Sequence, residues 1–236
     1  MSDKSKLARW GQYEELRPAQ IDEIRDESPI AYLPWGALEW HSYHAPIGLD
    51  GLKAHGLCLA LARKTGGVVL PAVYVGTDTI KPFKGFKHTI EHAQETVTTL
   101  CLEYLEQLVD EGFKVLIVVT GHYGGGHVEA LEAAARTFEK RHPAIKLWSM
   151  PDSEPLEGQY PKNHAARGET SFQMRFRPEL VDLKLLPQAR ETTLDDDGIW
   201  GENPKNATAE EGEQMLQAFL AGSVPKIQQL LQEIQP

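Results

Sequence analysis

Three segments of this 236-residue chain carry imidazoles and carboxylates in patterns that suit a divalent cation. The run WGALEWHSYHAPIGLD supplies Glu39, His41, His44 and Asp50; TGHYGGGH supplies His122; NHAARGETS supplies His164 and Glu169. Imidazole mixed with carboxylate suits zinc, manganese, iron or cobalt, whereas a structural zinc knot would call for thiolates, and the chain has only two cysteines. Glu39 and His41, two residues apart, share a side wherever the backbone is extended. Asp50 brings two oxygens and can bridge a pair of ions, an arrangement that polarises a carbonyl and generates hydroxide at neutral pH. Each residue also has a plain reading. Glu39 alone is a surface acid, Asp50 a helix N-cap before Gly51, and Glu169 a helix-start acid favoured by the dipole.

The remaining histidines divide differently. The chain has nine, against two Cys and four Met. His55 and His142 fall within helical patterns, and His127 needs no special role. His88 and His92 lie in or beside a long loop, as candidates to line a pocket. Gly124 to Gly126 before a helix could cradle an anion, but neither GxxxxGK[ST] nor a GxGxxG after the first strand is present. A G-x-S-x-G elbow is also missing, so a Ser-His-Asp hydrolase has no support.

The elements that must position these groups alternate. A helix is expected from Pro18 to Asp26, a strand from Pro29 to Pro34, a helix from Gly51 to Thr65 and a strand from Val68 to Leu70. Pro71 to His92 reads as a long loop, of the kind that serves as a lid or binding loop. Val97, Leu100, Cys101, Tyr104, Leu105 and Leu108 form one face of a helix from Ala93 to Glu111. Lys114 to Val119 (KVLIVV) has the continuous apolar pattern of a doubly covered parallel strand and is the candidate central strand. A helix from His127 to His142, a strand from Ile145 to Trp148, a helix from Glu169 to Phe176 and a final helix from Thr208 to Ile234 follow. Strand and helix in this order predict an open α/β sheet with right-handed crossovers. Ligands collect beyond the carboxyl ends of such strands, where all three segments fall.

Size and composition bound the rest. The length fits one domain spanning residues 1–236, with an acidic, irregular-plus-helical part from 187 to 236. Nine acidic against three basic residues there supply −6 of the formal −10, read as a solvated surface. That balance argues against nucleic acid and anionic membranes as partners. No apolar run is long enough to span a bilayer, and the N-terminus lacks a secretory core, so a cytoplasmic location is expected. Cys58 and Cys101 sit in helical apolar patterns as small buried hydrophobes.

Taken together, the three segments resemble the creatininase family. LPWGALEWHSYHAPIGLD is similar to its Leu-Pro-x-Gly-Ser/Ala-x-Glu-x-His stretch with Asp nine residues after the His. TGHYGGGH is similar to its Asn-Gly-His segment, and NHAARGETS to its His-Ala-Gly-x-x-Glu-Thr-Ser segment. Order and spacing match from about residue 29 to 187. The resemblance implies a Rossmann-like three-layer α/β/α sandwich with a mostly parallel sheet, a homo-oligomer that is often a hexamer, and one or two divalent ions (Zn, Mn or Fe). It implies that Glu39 and His122 hold one ion, His41 the other, and that Asp50 bridges them. The second Glu of creatinine-hydrolysing members falls at Gly124, which leaves Glu169 as the replacement ligand. Those members also place a Glu and a Trp where Asn163 and Tyr160 stand, which argues against creatinine as the substrate. Thr120 replaces the usual Asn, with a hydroxyl that can still fix the loop.

The expectation is therefore hydrolysis of a small polar substrate, a linear or cyclic amide, by metal-activated water. His164 is the proton carrier, and Glu169 a ligand or an assisting acid/base. The loops Tyr74 to His92 and Asp195 to Asn203 are expected to close the pocket, with Trp200 as a lid aromatic and His44 beside the site. The alternatives are ring opening of a keto-inositol or keto-sugar, and a non-catalytic metal- or ligand-binding scaffold.

Overall fold

Continuous apolar strands need cover on both faces, and the observed architecture provides it. A computed structural model describes residues 9–156, 158–160 and 163–234. Its strands are β1 (Trp10–Gln12), β2 (Ile30–Gly36), β3 (Gly67–Val69), β4 (Val73–Tyr74), β5 (Val115–Thr120) and β6 (Lys146–Pro151). The helices are α1 (Pro18–Glu27), α2 (Leu49–Thr65), α3 (Ile80–Lys84), α4 (Gln94–Asp110), α5 (Gly125–Arg141), α6 (Arg167–Phe176), α7 (Leu194–Asp197) and α8 (Ala209–Gln232). The sheet order is β1-β3-β2-β5-β6, with β4 also pairing β2, and every pairing is parallel.

The period-2 alternation of strand side chains divides the core in two. Ile30, Tyr32, Val115, Ile117 and Val119 pack with Leu57 and Leu61 of α2, Phe172 of α6 and Phe219 of α8. Ala31, Leu33, Trp35, Leu116 and Val118 pack on the opposite face with Ile24 of α1, Val97, Cys101 and Leu105 of α4, and Leu131 and Phe138 of α5. Helices thus cover both faces of a parallel sheet, the three-layer α/β/α sandwich expected. Cys58 and Cys101 are free and buried, one in each half of the core. Among the described residues no helix is long and apolar enough to cross a bilayer.

Three expectations are corrected, and one strand was not anticipated. The middle strand is β2, which pairs β3, β4 and β5; β5 lies beside it and is equally buried. The segment from Pro71 to His92 contains β4 and α3. The N-terminal strand β1 adds to the sheet through β3, where its three residues gave no pattern to read. The acidic C-terminal part is more than a solvated surface. Glu211 pairs with Arg167 at 2.9 Å, Glu213 with Arg175, and Glu233 with Lys146 at 2.9 Å, so its charge ties α8 to α6 and the β6 edge. Buried Asp197 accepts from both terminal guanidinium nitrogens of Arg190, at 2.7 and 2.9 Å.

Glycines bring α2 to the strand ends. A Cβ on Gly36 would stand 2.3 Å from the Gly51 nitrogen, and one on Gly121 would stand 2.3 Å from the Asp50 carbonyl. Real side chains do not pack so closely, so these two glycines let the first turn of α2, and Asp50 with it, sit against the ends of β2 and β5.

Candidate metal centre

The carboxyl ends of β2 and β5, the start of α2 and the start of α6 bring Glu39, His41, Asp50, His122, His164 and Glu169 together. Donor atoms of Glu39, Asp50 and His122 lie within 4.8 Å of one another, as do those of His41, Asp50 and Glu169, and those of Glu39, His41 and His164. Asp50 belongs to both of the first two groups. It lies inside the first turn of α2, whose N-cap is Gly48, so its position is not that of a capping residue. His41 Nε2 is 3.2 Å from Asp50 Oδ1 and 3.6 Å from Glu169 Oε2. His122 Nδ1 is 2.8 Å from Glu39 Oε2 and 3.4 Å from Asp50 Oδ2. Glu39, Asp50 and Glu169 are each at most 2% exposed.

Backbone carbonyls set the orientation of all three imidazoles. His41 Nδ1 donates to Glu39 O (3.0 Å), His122 Nε2 to Thr77 O (3.0 Å) and His164 Nε2 to Trp40 O (2.8 Å). In the neutral form, the one that can ligate a cation, an imidazole has one donor and one acceptor nitrogen, so each ring would turn its lone pair away from that carbonyl. For His41 and His122 this is the nitrogen that faces the carboxylates. Glu39 Oε1 accepts from Ile80 N (2.5 Å), and Glu169 Oε2 accepts from Ala165 N (2.8 Å). Thr120 Oγ1 accepts from His122 N (3.2 Å) and lies 3.1 Å from His127 Nε2, so the hydroxyl does fix this loop.

The charges are balanced by protons on the imidazoles. Burial by itself would depress His41, but Asp50, Glu169 and Glu39 carry it up to about 9. His122 moves well above the usual range, because Glu39 and Asp50 outweigh the same burial. Burial would raise both carboxyls, yet His41 and His122 hold Asp50 well below the usual range, and His122 lowers Glu39. Burial, with His41 nearby, pushes His164 down and His44 to about 4. Among the described residues, Glu39 Oε2, His41 Nε2 and Asp50 Oδ2 are buried and have no hydrogen-bond partner beyond the imidazole–carboxylate contacts of the cluster itself. Buried polar atoms are seldom left so, and all three face the same small space. Hard carboxylate oxygens together with imidazole nitrogens fit a first-row divalent ion.

Above this cluster opens a cavity of about 420 Å³. The two expected loops do line it, through Asp78, Thr79, Ile80 and Phe83 on one side and Trp200 on the other, with Leu194 just ahead of the second loop. Trp200 is held to His164 by two backbone hydrogen bonds, at 2.8 and 2.9 Å, while its side chain remains 57% exposed. His88 and His92 do not line the cavity: His88 stacks on Trp40, and His92 Nδ1 faces Gly76 O at 3.3 Å. His44 lies beside the site, with Nε2 2.9 Å from Thr170 Oγ1.

Several residues that support the site were not singled out from the sequence. His127 is fully buried edge-on to His122, with ring centroids 4.9 Å apart. Glu91 receives the Asp78 and Thr79 amides (2.7 and 3.1 Å) and so fixes the turn whose Thr77 carbonyl holds His122. Lys53, Tyr123 and Asp152 form a buried group behind Glu169. Lys53 had a readable signal, since it follows Asp50 by three residues on one helix and shares its face.

A parallel α/β sandwich carrying a histidine–carboxylate cluster at the carboxyl edge of its sheet is an architecture suited to holding divalent ions. Comparison with known proteins gives the particular group. The creatininase family, described as creatinine amidohydrolase, matches residues 14–227. A creatinine amidohydrolase of Pseudomonas putida is 24% identical over 233 residues, covering 85% of this chain and 89% of that protein. The crystal structure of a creatinine amidohydrolase superposes with a TM-score of 0.78 at 21% identity, covering 98% of this chain and 100% of the other. A mutant creatininase of zinc–zinc type and a manganese creatininase each superpose with a TM-score of 0.77 at 21% identity over the same shares. The chain belongs to the creatininase family.

Proposed function

We propose that the protein hydrolyses a small linear or cyclic amide at a centre of one or two divalent ions, zinc, manganese or iron. The observation that carries this reading is the convergence of five buried ligand side chains on one space, with Asp50 common to both groups. Glu39, Asp50 and His122 would hold one ion, and His41, Asp50 and Glu169 the other. When bound, such ions polarise a carbonyl and lower the pKa of water. The protein's own contribution is orientation and proton handling. His164 is neutral near pH 7, because burial depresses it, and its Nε2–H is committed to Trp40 O. Its Nδ1 is then the acceptor that takes a proton from water and returns it to the leaving nitrogen. Ile80, Phe83, Leu194 and Trp200 give this end of the cavity an apolar lining that suits an amide bearing an apolar or planar group.

Creatinine itself is not the proposed substrate. At Gly124, where creatinine-hydrolysing members carry a Glu, a Cβ would stand 2.4 Å from the Asp78 carbonyl and 2.8 Å from His122 Nε2. The Asp78 turn occupies the room that side chain would need. Turnover of formamides, cyclic amides and small peptides by the zinc- or manganese-loaded protein tests the reading, with creatinine and keto-inositols in the same panel. Turnover of keto-inositols alone would replace amide hydrolysis by ring opening. Retained metal with no turnover of any compound would leave a binding scaffold.

A further inference from the structure

Amide hydrolysis as described makes no use of Lys53, although the fold buries it completely. Its ammonium lies 2.7 Å from Glu169 Oε1, 3.0 Å from the Tyr123 hydroxyl and 3.2 Å from Asp152 Oδ2. Two of these contacts are hydrogen bonds and the third, to Asp152 Oδ2, is an ion pair. Tyr123 in turn bonds Asp152 Oδ1, and its ring lies 4.4 Å from the ammonium. Asp152 is also fully buried, directly after β6. Taking such charges out of water costs several kcal/mol per ion, and here the fold does so at the back of a candidate ligand.

The consequence falls on Glu169. Its Oε1 is held by Lys53 from α2, and its Oε2 by the Ala165 amide. With Oε1 engaged by the ammonium, the carboxylate presents Oε2 alone to the space shared with His41 and Asp50. The other ligand group is built differently, since the outer oxygen of Glu39 is held by the Ile80 amide. Both glutamates therefore have a backbone donor, but in the second group Glu169 also has a buried cation on its other oxygen.

We propose that Lys53 is a positioning residue for the second ion: it fixes Glu169 as a one-oxygen ligand, so that the His41–Asp50–Glu169 position depends on Lys53 and the Glu39–Asp50–His122 position does not. The inference rests on the two-ion form of the metal centre. Groups that hydrogen-bond a ligand typically carry about 10–100-fold in metal affinity. A cluster that merely supported the fold would weaken both positions alike.

The test is titration of the metal-free full-length protein with Mn²⁺, following bound metal by equilibrium dialysis and ion pairing by electron paramagnetic resonance. Wild type is expected to fill both positions and show a spin-coupled pair. Lys53→Met is expected to keep the first position unchanged and weaken the second by about 10–100-fold, leaving the signal of an isolated ion. Because Lys53→Met leaves Asp152 and Glu169 facing each other without a cation, Lys53→Met/Asp152→Asn is titrated alongside. It removes the cation and one acid together, and the same selective loss is expected. Equal weakening of both positions, or a second ion bound at full affinity in either variant, overturns the proposal. Wild type that binds a single ion overturns it while leaving the first position standing. Wild type that binds none overturns the metal-centre reading as well.

Discussion

The protonated imidazoles make the metal-free protein lose stability as pH rises through the neutral range. His41 titrates at 6.5 as an ordinary histidine and at about 9 in the fold. A raised folded-state pKa favours folding fully below 6.5, and this contribution is lost progressively as pH rises to about 9. At about 1.4 kcal/mol per pKa unit, the rise from 6.5 to about 9 for this fully buried group is worth about 3 kcal/mol. His122 moves the same way and extends the loss to higher pH. Burial depresses His44, His55, His127 and His164, so their contribution has the opposite sign, adding stability as pH rises towards 6.5 and little beyond it. Urea unfolding in a chelator between pH 6 and 10 measures the slope, and His41→Asn should remove about 3 kcal/mol of it. Saturating zinc should reverse the trend, because the ion competes with those protons and binds more tightly as pH rises. Stability that is flat or rising from pH 6.5 to 9 in the chelator, or a slope unchanged in His41→Asn, would refute the charge balance assigned to this cluster.

Other substitutions separate the remaining roles. His164→Asn should lower kcat by about 10²–10⁴-fold with unchanged metal content; metal analysis showing a lost ion would make His164 a ligand instead. Gly124→Glu should cost about 1–3 kcal/mol by overpacking against the Asp78 turn, read by denaturant unfolding, and should confer no creatinine turnover. Creatinine turnover in that variant would show that the turn gives way. Glu211→Ala, which leaves Ser171 and Arg167 without their shared acceptor, should cost about 1–2 kcal/mol, again by unfolding, without changing metal affinity.

The site was legible in the sequence to the extent that it sits directly beyond strands. Glu39 and His122 follow doubly covered strands, whose apolar runs announce themselves, and Asp50 and Glu169 occupy first helical turns. What stayed hidden came from contacts between distant segments. Glu91 fixes the Thr77–Thr79 turn through backbone amides, and such an acid is indistinguishable in sequence from any loop glutamate. Asp152 sits in a proline-flanked segment and acquires meaning only when Lys53 arrives from α2, about a hundred residues away. The strand β4 has two residues, too few for periodicity, and exists because Val73 and Tyr74 complete the edge of β2. Likewise β2 is central because of partners that its own pattern does not name.

The central claim is that one buried cluster holds the ions. Anomalous scattering at the zinc edge from crystals of the zinc-loaded protein tests it most directly, with Asp50→Ala measured in parallel. In wild type, peaks are expected among Glu39, Asp50 and His122 and among His41, Asp50 and Glu169, with both lost or severely reduced in Asp50→Ala. Peaks elsewhere, or full occupancy in Asp50→Ala, would contradict the account.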